Sequence, residues 1–127
     1  MARRNNTSPS ARKSYDQFCP VARALDLVGD RWTLLILRDV SLFGPRRFTD
    51  LKTNLVGISP TLLSERLTHL VEEGLLERRD DEEGVTYLFT PRGREIKPVL
   101  AALRDFGSPL MPKGWEKRVP REVFGRR

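Results

Sequence analysis

The segment Gly57–Arg79, GISPTLLSERLTHLVEEGLLERR, constrains the fold of this chain more than any other, because it carries its own helix boundaries. Ser59–Pro60 is a strong helix start, since serine caps free backbone amides and proline needs no N–H donor at the first helical position. Gly74 is a typical helix stop. The sequence therefore predicts a helix from Pro60 to about Glu73.

The predicted helix has one apolar side and one polar side. At 100° per residue, the apolar side is formed by Leu63, Leu67 and Leu70, with Val71 beside them. The polar side has Thr61, Glu65, Thr68 and Glu72 opposite the leucines, Ser64 and His69 at its edges, and Arg66 near the core boundary. We expect the leucines to face the core. The polar side is then either an ordinary solvated surface or a contact surface for a partner.

Helical patterns also precede this segment. Pro20 opens a run of apolar residues at helical spacing, which Gly29 ends. Asp30 can cap a second helix with four inward-facing residues, Trp32, Leu35, Ile36 and Val40. Gly44–Pro45 forces a turn before a short third helix, FTDLKTNL, which is expected to end near Leu55.

A strand pattern and a final helix follow the segment. Leu75–Arg79 and Val85–Phe89 are compatible with short strands, and the acidic residues between them predict a hairpin loop. Thr90–Pro91 begins a last long helix with an apolar stripe at spacings of three and four, formed by Ile96, Val99, Leu100, Leu103 and Phe106. A small core has little room for this stripe, so the sequence predicts that a second copy of the chain covers it.

The length and composition predict one small domain between polar ends. A chain of 127 residues with 39% hydrophobic residues can form one core but not two comfortable ones. We expect a flexible basic arm at residues 1–18, the folded domain at 19–107 and a basic tail with proline and glycine at 108–127. No apolar run approaches the roughly 18 residues of a membrane span, and no signal-peptide core is present, so we expect a cytoplasmic protein without membrane contact.

Charge alone does not decide the partner. The net charge of +6 favours an anionic partner, but residues 1–19, 20–88, 89–107 and 108–127 carry +3, −3, +2 and +4 respectively. Catalysis is not indicated either, because the chain has one histidine, one cysteine, no clustered metal ligands and no glycine-rich phosphate loop after a strand. The sequence therefore predicts a protein that is not an enzyme and that uses neither a metal nor another cofactor.

The order of the elements indicates a winged helix-turn-helix. In such proteins a short helix and a tight turn precede a second helix, which enters the major groove of DNA with its N-terminus first. The hairpin directly after that helix makes the winged version. We predict an α+β fold, mostly α, with a two-stranded hairpin wing and N- and C-terminal dimerisation helices.

Three blocks resemble the HxlR-type winged-helix regulators over roughly Cys19–Phe106: CPVARALDLVGDRWTLLILRDV, GPRRFTDLKTNLVGISPTLLSERLTHLVEEGLLERR and YLFTPRGREIKPVL. The match is specific, because several uncommon pieces occur in the family's order. The resemblance implies a bacterial, homodimeric, DNA-binding transcription factor whose terminal helices build the dimer interface. It also implies DNA contacts from the start and outer side of the recognition helix, which here are Thr61, Ser64, Glu65, Arg66 and Thr68. Ser59, the expected cap of that helix, is a further candidate DNA contact.

The predicted wing tip departs from this family. Its sequence, DDEEG, places four carboxylates where a tip able to meet phosphate is commoner, and these carboxylates would repel DNA. Either the tip points away from DNA and only Arg78 and Arg79 at the wing base touch phosphate, or the wing contributes little. Arg46 and Arg47, before the third helix, are then the better phosphate contacts, the alternative being that they are solvated surface residues.

Cys19 is the candidate for chemistry. It precedes Pro20, so its thiol is expected at a helix N-terminus, where free amides and Arg23 favour the thiolate. Some HxlR-type regulators use a cysteine near the chain start to sense oxidants or electrophiles, and Cys19 matches that region. A small oxidant or electrophile is therefore a candidate effector. The alternative is a packed structural cysteine.

The sequence as a whole predicts a homodimeric regulator, acting as a repressor, that binds a roughly palindromic site in double-stranded DNA. The alternative is a winged-helix protein-interaction module without specific DNA binding. The net charge of −3 in residues 20–88 keeps that alternative open.

Overall fold

Five helices and one hairpin make up the computed structural model, which describes residues 14–118. In chain order they are α1 (Pro20–Val28), α2 (Thr33–Phe43), α3 (Phe48–Asn54), α4 (Pro60–Glu72), β1 (Leu76–Asp81), β2 (Gly84–Phe89) and α5 (Lys97–Gly107). This confirms the predicted winged helix-turn-helix. Most of the predicted arm and the second half of the predicted tail lie outside the described residues.

The core lies where α2, α3 and α4 meet the base of the hairpin. The three predicted leucines of α4, Leu63, Leu67 and Leu70, are at most 1% exposed. They pack with residues of the other elements, namely Ile36, Leu37, Val40, Leu51, Leu55, Ile58, Leu75, Leu76 and Phe89. Truncating such a leucine to alanine typically costs about 2–5 kcal/mol. The apolar side of α4 therefore fixes this helix to the rest of the domain.

The predicted helix caps form. Ser59 Oγ accepts the N–H of Leu62 at 3.1 Å, and Pro60 occupies the first position of α4. Asp30 Oδ1 accepts the N–H groups of Trp32 and Thr33, both at 2.8 Å. The α-helix after Asp30 begins only at Thr33, because residues 31–32 form a turn.

The hairpin is tighter than predicted. β1 and β2 pair antiparallel from Leu76↔Phe89 to Asp81↔Gly84, so the first two acidic residues of the expected loop belong to a strand. The turn closes in two residues because Asp81 Oδ1 accepts the N–H of Glu83 at 2.9 Å and Gly84 adopts a positive φ of 119°. The strands of the wing are therefore paired almost to its tip.

The last helix starts later than predicted. Thr90 Oγ1 accepts the N–H of Gly93 at 3.0 Å, as expected of a cap, but residues Gly93–Ile96 form a 3₁₀ turn before α5. Pro98 explains this, because it has no N–H to donate to the carbonyl of Arg94 four residues earlier. The N–H of Lys97 bonds to that carbonyl instead. Among residues 14–118, no helix is long and apolar enough to cross a bilayer.

The apolar stripe of the last helix is divided between two environments. Ile96 and Leu100, which were expected to meet a second chain, are partly buried against the core. Val99, Leu103 and Phe106 remain 46%, 45% and 80% exposed. The surface left for a partner on this stripe is therefore narrower than the sequence predicted.

Candidate nucleic-acid interface

The turn between α3 and α4 is anchored in the core. Leu55 and Ile58 are buried, and the N–H of Ile58 donates to the carbonyl of Leu55 at 3.1 Å. Gly57 has a positive φ of 96°, which allows the chain to reverse within this short connection. Val56 is pushed outward and is 85% exposed. The turn thus holds the N-terminus of α4 at the surface in a fixed direction.

The outer side of α4 presents small hydroxyl groups. Ser59, Thr61, Ser64 and Thr68 are exposed, and Glu65 is half-buried. Opposite them lie the buried leucines, so α4 cannot rotate these groups inward without unpacking the core. The geometry matches a helix that offers hydrogen-bonding groups to a groove.

Arg66 does not share this exposure. Its side chain is 17% exposed, and its Nε lies 3.0 Å from Oδ2 of Asp30, at the start of α2. This Nε has no hydrogen-bond partner among the described residues, so the contact is an ion pair held by charge and proximity. The structure thus places Arg66 between α4 and α2 rather than on the outer side.

The pKa of the Asp30 carboxyl is shifted by this environment. Burial raises the pKa, but the hydroxyl and N–H of Thr33, the N–H of Trp32 and the guanidinium of Arg66 lower it by more. The net result is a pKa below the ordinary value of 3.8. Asp30 is therefore a carboxylate at neutral pH.

Arg46 and Arg47 are both engaged by the protein itself. The Arg46 guanidinium lies 4.6 Å from the ring of Phe43, and its backbone exchanges two hydrogen bonds with Tyr87, of 2.9 and 2.8 Å. Arg47 donates to the carbonyl of Glu83 at 2.5 Å and lies 3.5 Å from that residue's carboxylate. A phosphate contact by Arg47 would have to compete with the acidic wing tip.

The two arginines at the wing base lie on opposite faces of the hairpin, because side chains alternate along a strand. Arg78 pairs with Tyr87 on the face that also carries Leu76, while Arg79 pairs with Thr86 on the other face. Arg79 is bonded to Glu77 at 3.0 Å. Within residues 14–118, no hydrogen bond or ion pair engages the Arg78 guanidinium. Arg78 is thus the wing arginine available to an anion.

Cys19 lies at the predicted position. It is the N-cap residue of α1, its side chain makes no capping hydrogen bond, and the residue is half-buried. The N–H of Arg23 donates to the Cys19 carbonyl at 2.9 Å, which closes the first turn of α1. Cys19 is therefore a partly exposed residue at the start of α1.

Comparison with known proteins decides the family. The HxlR-like helix-turn-helix family matches residues 27–114. The chain belongs to this family. Rv3095 of Mycobacterium tuberculosis, named an uncharacterised HTH-type transcriptional regulator, is 46% identical over 96 residues. The aligned region covers 73% of this chain and 60% of Rv3095, so the chain spans about three fifths of that relative's length.

Two solved structures of transcription factors have the same fold as this HxlR-family chain. PA1607, described as a candidate transcription factor, has a TM-score of 0.69 and 35% identity, and the match covers 78% of this chain and 70% of PA1607. The reduced form of the transcriptional regulator YodB from Bacillus subtilis has a TM-score of 0.63 and 28% identity, over 77% of this chain and 99% of YodB. All three relatives are named as transcription regulators or candidate transcription factors.

Proposed function

We propose that this HxlR-family chain is a homodimeric transcription regulator, acting as a repressor, that binds a roughly palindromic site in double-stranded DNA. The observation that carries the proposal is the two-sided α4, whose hydroxyl groups are exposed opposite three buried leucines. The wing beside it adds Arg78 as a phosphate contact. The names of the relatives support the same function.

In this proposal, hydroxyls and charge at the start of α4 read base edges. The candidate readers are Thr61, Ser64, Glu65 and Thr68. Ser59, the exposed N-cap residue of α4, is the candidate contact for a phosphate. Sequence preference then depends on the outer side of α4, while general affinity depends on arginines outside it.

The test is binding to the duplex upstream of the chain's own gene, compared with a scrambled duplex of equal composition. Replacing Thr61 or Ser64 with alanine is expected to reduce the preference by about 1–3 kcal/mol per lost base contact. Thr53→Ala is the matched control, because Thr53 is an exposed threonine on α3. Equal affinity of the wild type for both duplexes would refute the proposal and favour the protein-interaction module.

We further propose that Cys19 makes the regulator responsive to oxidants or electrophiles. YodB, a 28% identical regulator, has been crystallised in a reduced and in a diamide-treated form. Cys19 is half-buried at the start of α1, where a small reagent can reach it. Two thiols give two protons and two electrons to diamide and form one S–S bond. In this chain the bond joins two copies, or one copy and a small thiol, since Cys19 is the chain's single cysteine.

The measurement is the affinity for the operator, meaning the duplex upstream of the chain's own gene, before and after diamide. It is made for the wild type and for Cys19→Ser, and non-reducing electrophoresis identifies the product. The wild type is expected to lose affinity and to regain it with a reducing agent, while Cys19→Ser is expected to be unaffected. Equal loss in both proteins would show that Cys19 is not the responsive group.

A further inference from the structure

The corner between α1 and α2, residues 29–32, lies against the helix-turn-helix. Asp30 pairs with Arg66 in the middle of α4. Trp32 lies beside Gly57 in the turn, with its Cη2 atom 4.0 Å from where a Cβ on that glycine would be. The residues before α2 therefore pair with the helix proposed to enter the groove and lie close to the turn before it.

The Asp30 carboxylate is held in one orientation. Oδ1 accepts two backbone N–H groups at 2.8 Å, from Trp32 and Thr33, and Oδ2 accepts the Thr33 hydroxyl at 2.5 Å. Thr33 is itself fully buried. The carboxylate cannot follow a movement of Arg66 without uncapping α2. The ion pair therefore holds Arg66, and with it α4, against a group whose position is fixed.

The rest of the α4 packing restrains rotation less. Contacts of Leu63, Leu67 and Leu70 are apolar and non-directional, so they keep that side of α4 inward but resist a rotation of a few degrees less than a directed ion pair does. Side-chain ends lie about 5–6 Å from a helix axis, so a rotation of about 10° displaces them by roughly 1 Å. A displacement of that size is enough to break a hydrogen bond to a base edge.

We propose that Asp30, acting through Arg66, sets the rotation of α4 and thereby the DNA sequence preference, with both residues acting as positioning residues. The inference rests on the proposed function and revises the role that the sequence suggested for Arg66. An Arg66 that read a base would have to leave a carboxylate 3.0 Å away, whereas a positioning Arg66 uses that contact as it stands.

Two sets of variants separate this role from others. Asp30→Asn and Asp30→Ser keep a residue that caps helices well but remove the charge that pairs with Arg66. Arg66→Gln removes the other charge, and Arg66→Lys keeps it. Asp26→Asn is the matched control, because Asp26, in the last turn of α1, also accepts hydrogen bonds, from Ser14 and Tyr15, and forms no hydrogen bond or ion pair with α4 in the described structure.

Each variant is assayed for its affinity for operator and scrambled duplex, at a temperature where circular dichroism shows it folded. We expect Asp30→Asn, Asp30→Ser and Arg66→Gln each to reduce the operator-to-scrambled affinity ratio about tenfold or more. Combining Asp30→Asn with Arg66→Gln is expected to add nothing further, because both remove one interaction. Arg66→Lys is expected to keep more of the affinity ratio than Arg66→Gln does, because lysine keeps the positive charge. Asp26→Asn is expected to leave the ratio at the wild-type value.

One result overturns this inference alone. The wild type prefers the operator duplex, Arg66→Gln loses the operator-to-scrambled affinity ratio, and both folded Asp30 variants keep it. Arg66 would then read the operator directly. A wild type with equal affinity for both duplexes overturns the proposed function and this inference together. The two failures are distinguished by the wild-type measurement.

Discussion

Asp30 links proton binding to stability, because one carboxylate both caps α2 and pairs with Arg66. Burial raises its pKa, but hydrogen bonds from Thr33 and Trp32 and the charge of Arg66 bring the pKa below 3.8 in the folded chain. The ionised form therefore stabilises the fold at any pH above the unfolded value. That contribution is lost as the pH falls through the lowered folded-state pKa.

The expected outcome is a wild type whose free energy of unfolding decreases with falling pH more steeply than that of Asp30→Asn, between about pH 5 and pH 2. Asparagine keeps the cap but has no proton to gain in this range. Urea unfolding at a series of pH values, followed by circular dichroism, measures the two curves. A difference between the curves that stays constant with pH would contradict the linkage.

The arginines near the wing are expected to differ in their effect on the salt dependence of DNA binding. Each phosphate contact contributes about −0.9 to the slope of log affinity against log salt. No hydrogen bond or ion pair engages the Arg78 guanidinium within the described residues. Arg78→Gln should therefore reduce the magnitude of the slope by about 0.9, the value for one phosphate contact. Arg47 is bonded to Glu83, so Arg47→Gln should change the slope less. Equal changes would mean that DNA displaces the wing tip from Arg47.

At the scale of elements, the junction between the hairpin and the 3₁₀ turn depends on Gly93. A Cβ at this position would lie 1.9 Å from the carbonyl oxygen of Leu75 and 2.9 Å from the Phe89 ring. The first of these atoms belongs to the backbone and cannot turn aside. Gly93→Ala is therefore expected to destabilise the fold by about 3 kcal/mol or more.

Gly107→Ala is the matched control for this substitution. Gly107 ends α5 with helical dihedral angles, and nothing lies within 4 Å of a Cβ built there. Alanine at a compatible helical position is expected to be neutral or to stabilise by about 0.5–1 kcal/mol. Thermal unfolding of both variants measures the contrast. A Gly93→Ala protein as stable as the Gly107→Ala protein would show that the junction can open without cost.

The sequence predicted the elements well wherever the signal was local. Ser59, Asp30 and Thr90 cap the turns that directly follow them, so their neighbours in sequence were enough to find the helix starts. The hairpin tip and the start of α5 differ from the prediction. Each is set by a single residue, the tip by the turn-closing carboxylate of Asp81 and the start of α5 by the missing N–H of Pro98.

The candidate site was predictable only in part. Helical periodicity correctly placed Thr61, Ser64 and Thr68 on the exposed side of α4. It could not show that Arg66 pairs with a residue 36 positions earlier, or that Arg47 is bonded to a residue 36 positions later. Such pairs form because the fold brings distant residues together, and nothing in the spacing of the charges indicates them.

Among residues 14–118, exposed apolar side chains group around α1 and around α5. Phe18, just before α1, is fully exposed, and Val21, within α1, is 67% exposed. Within α5 and just after it, the exposed apolar residues are Val99, Leu103, Phe106, Leu110 and Met111. A monomer rarely leaves this much apolar surface in water, so both places are expected to be covered in a homodimer.

Phe106→Glu and Val21→Glu are therefore expected to shift the chain toward monomer, because each puts a charge where two chains would meet. Val56→Glu is the matched control, since Val56 is 85% exposed but lies in the turn before α4. Light scattering after size exclusion gives the mass of each protein. A dimer mass unchanged in both helix variants would place the dimer contact elsewhere.

The two-residue turn of the wing has a consequence for how the length of the hairpin can change. Arg78 and Arg79 owe their opposite directions to the strand register, and a closed turn leaves no slack to absorb an extra residue. Deleting or inserting one residue just before Leu76 would exchange the two arginines between faces and turn Leu76 outward. Adding two residues to each strand preserves every face and lengthens the wing by about 7 Å. Related chains should therefore differ in wing length by even numbers of residues per strand.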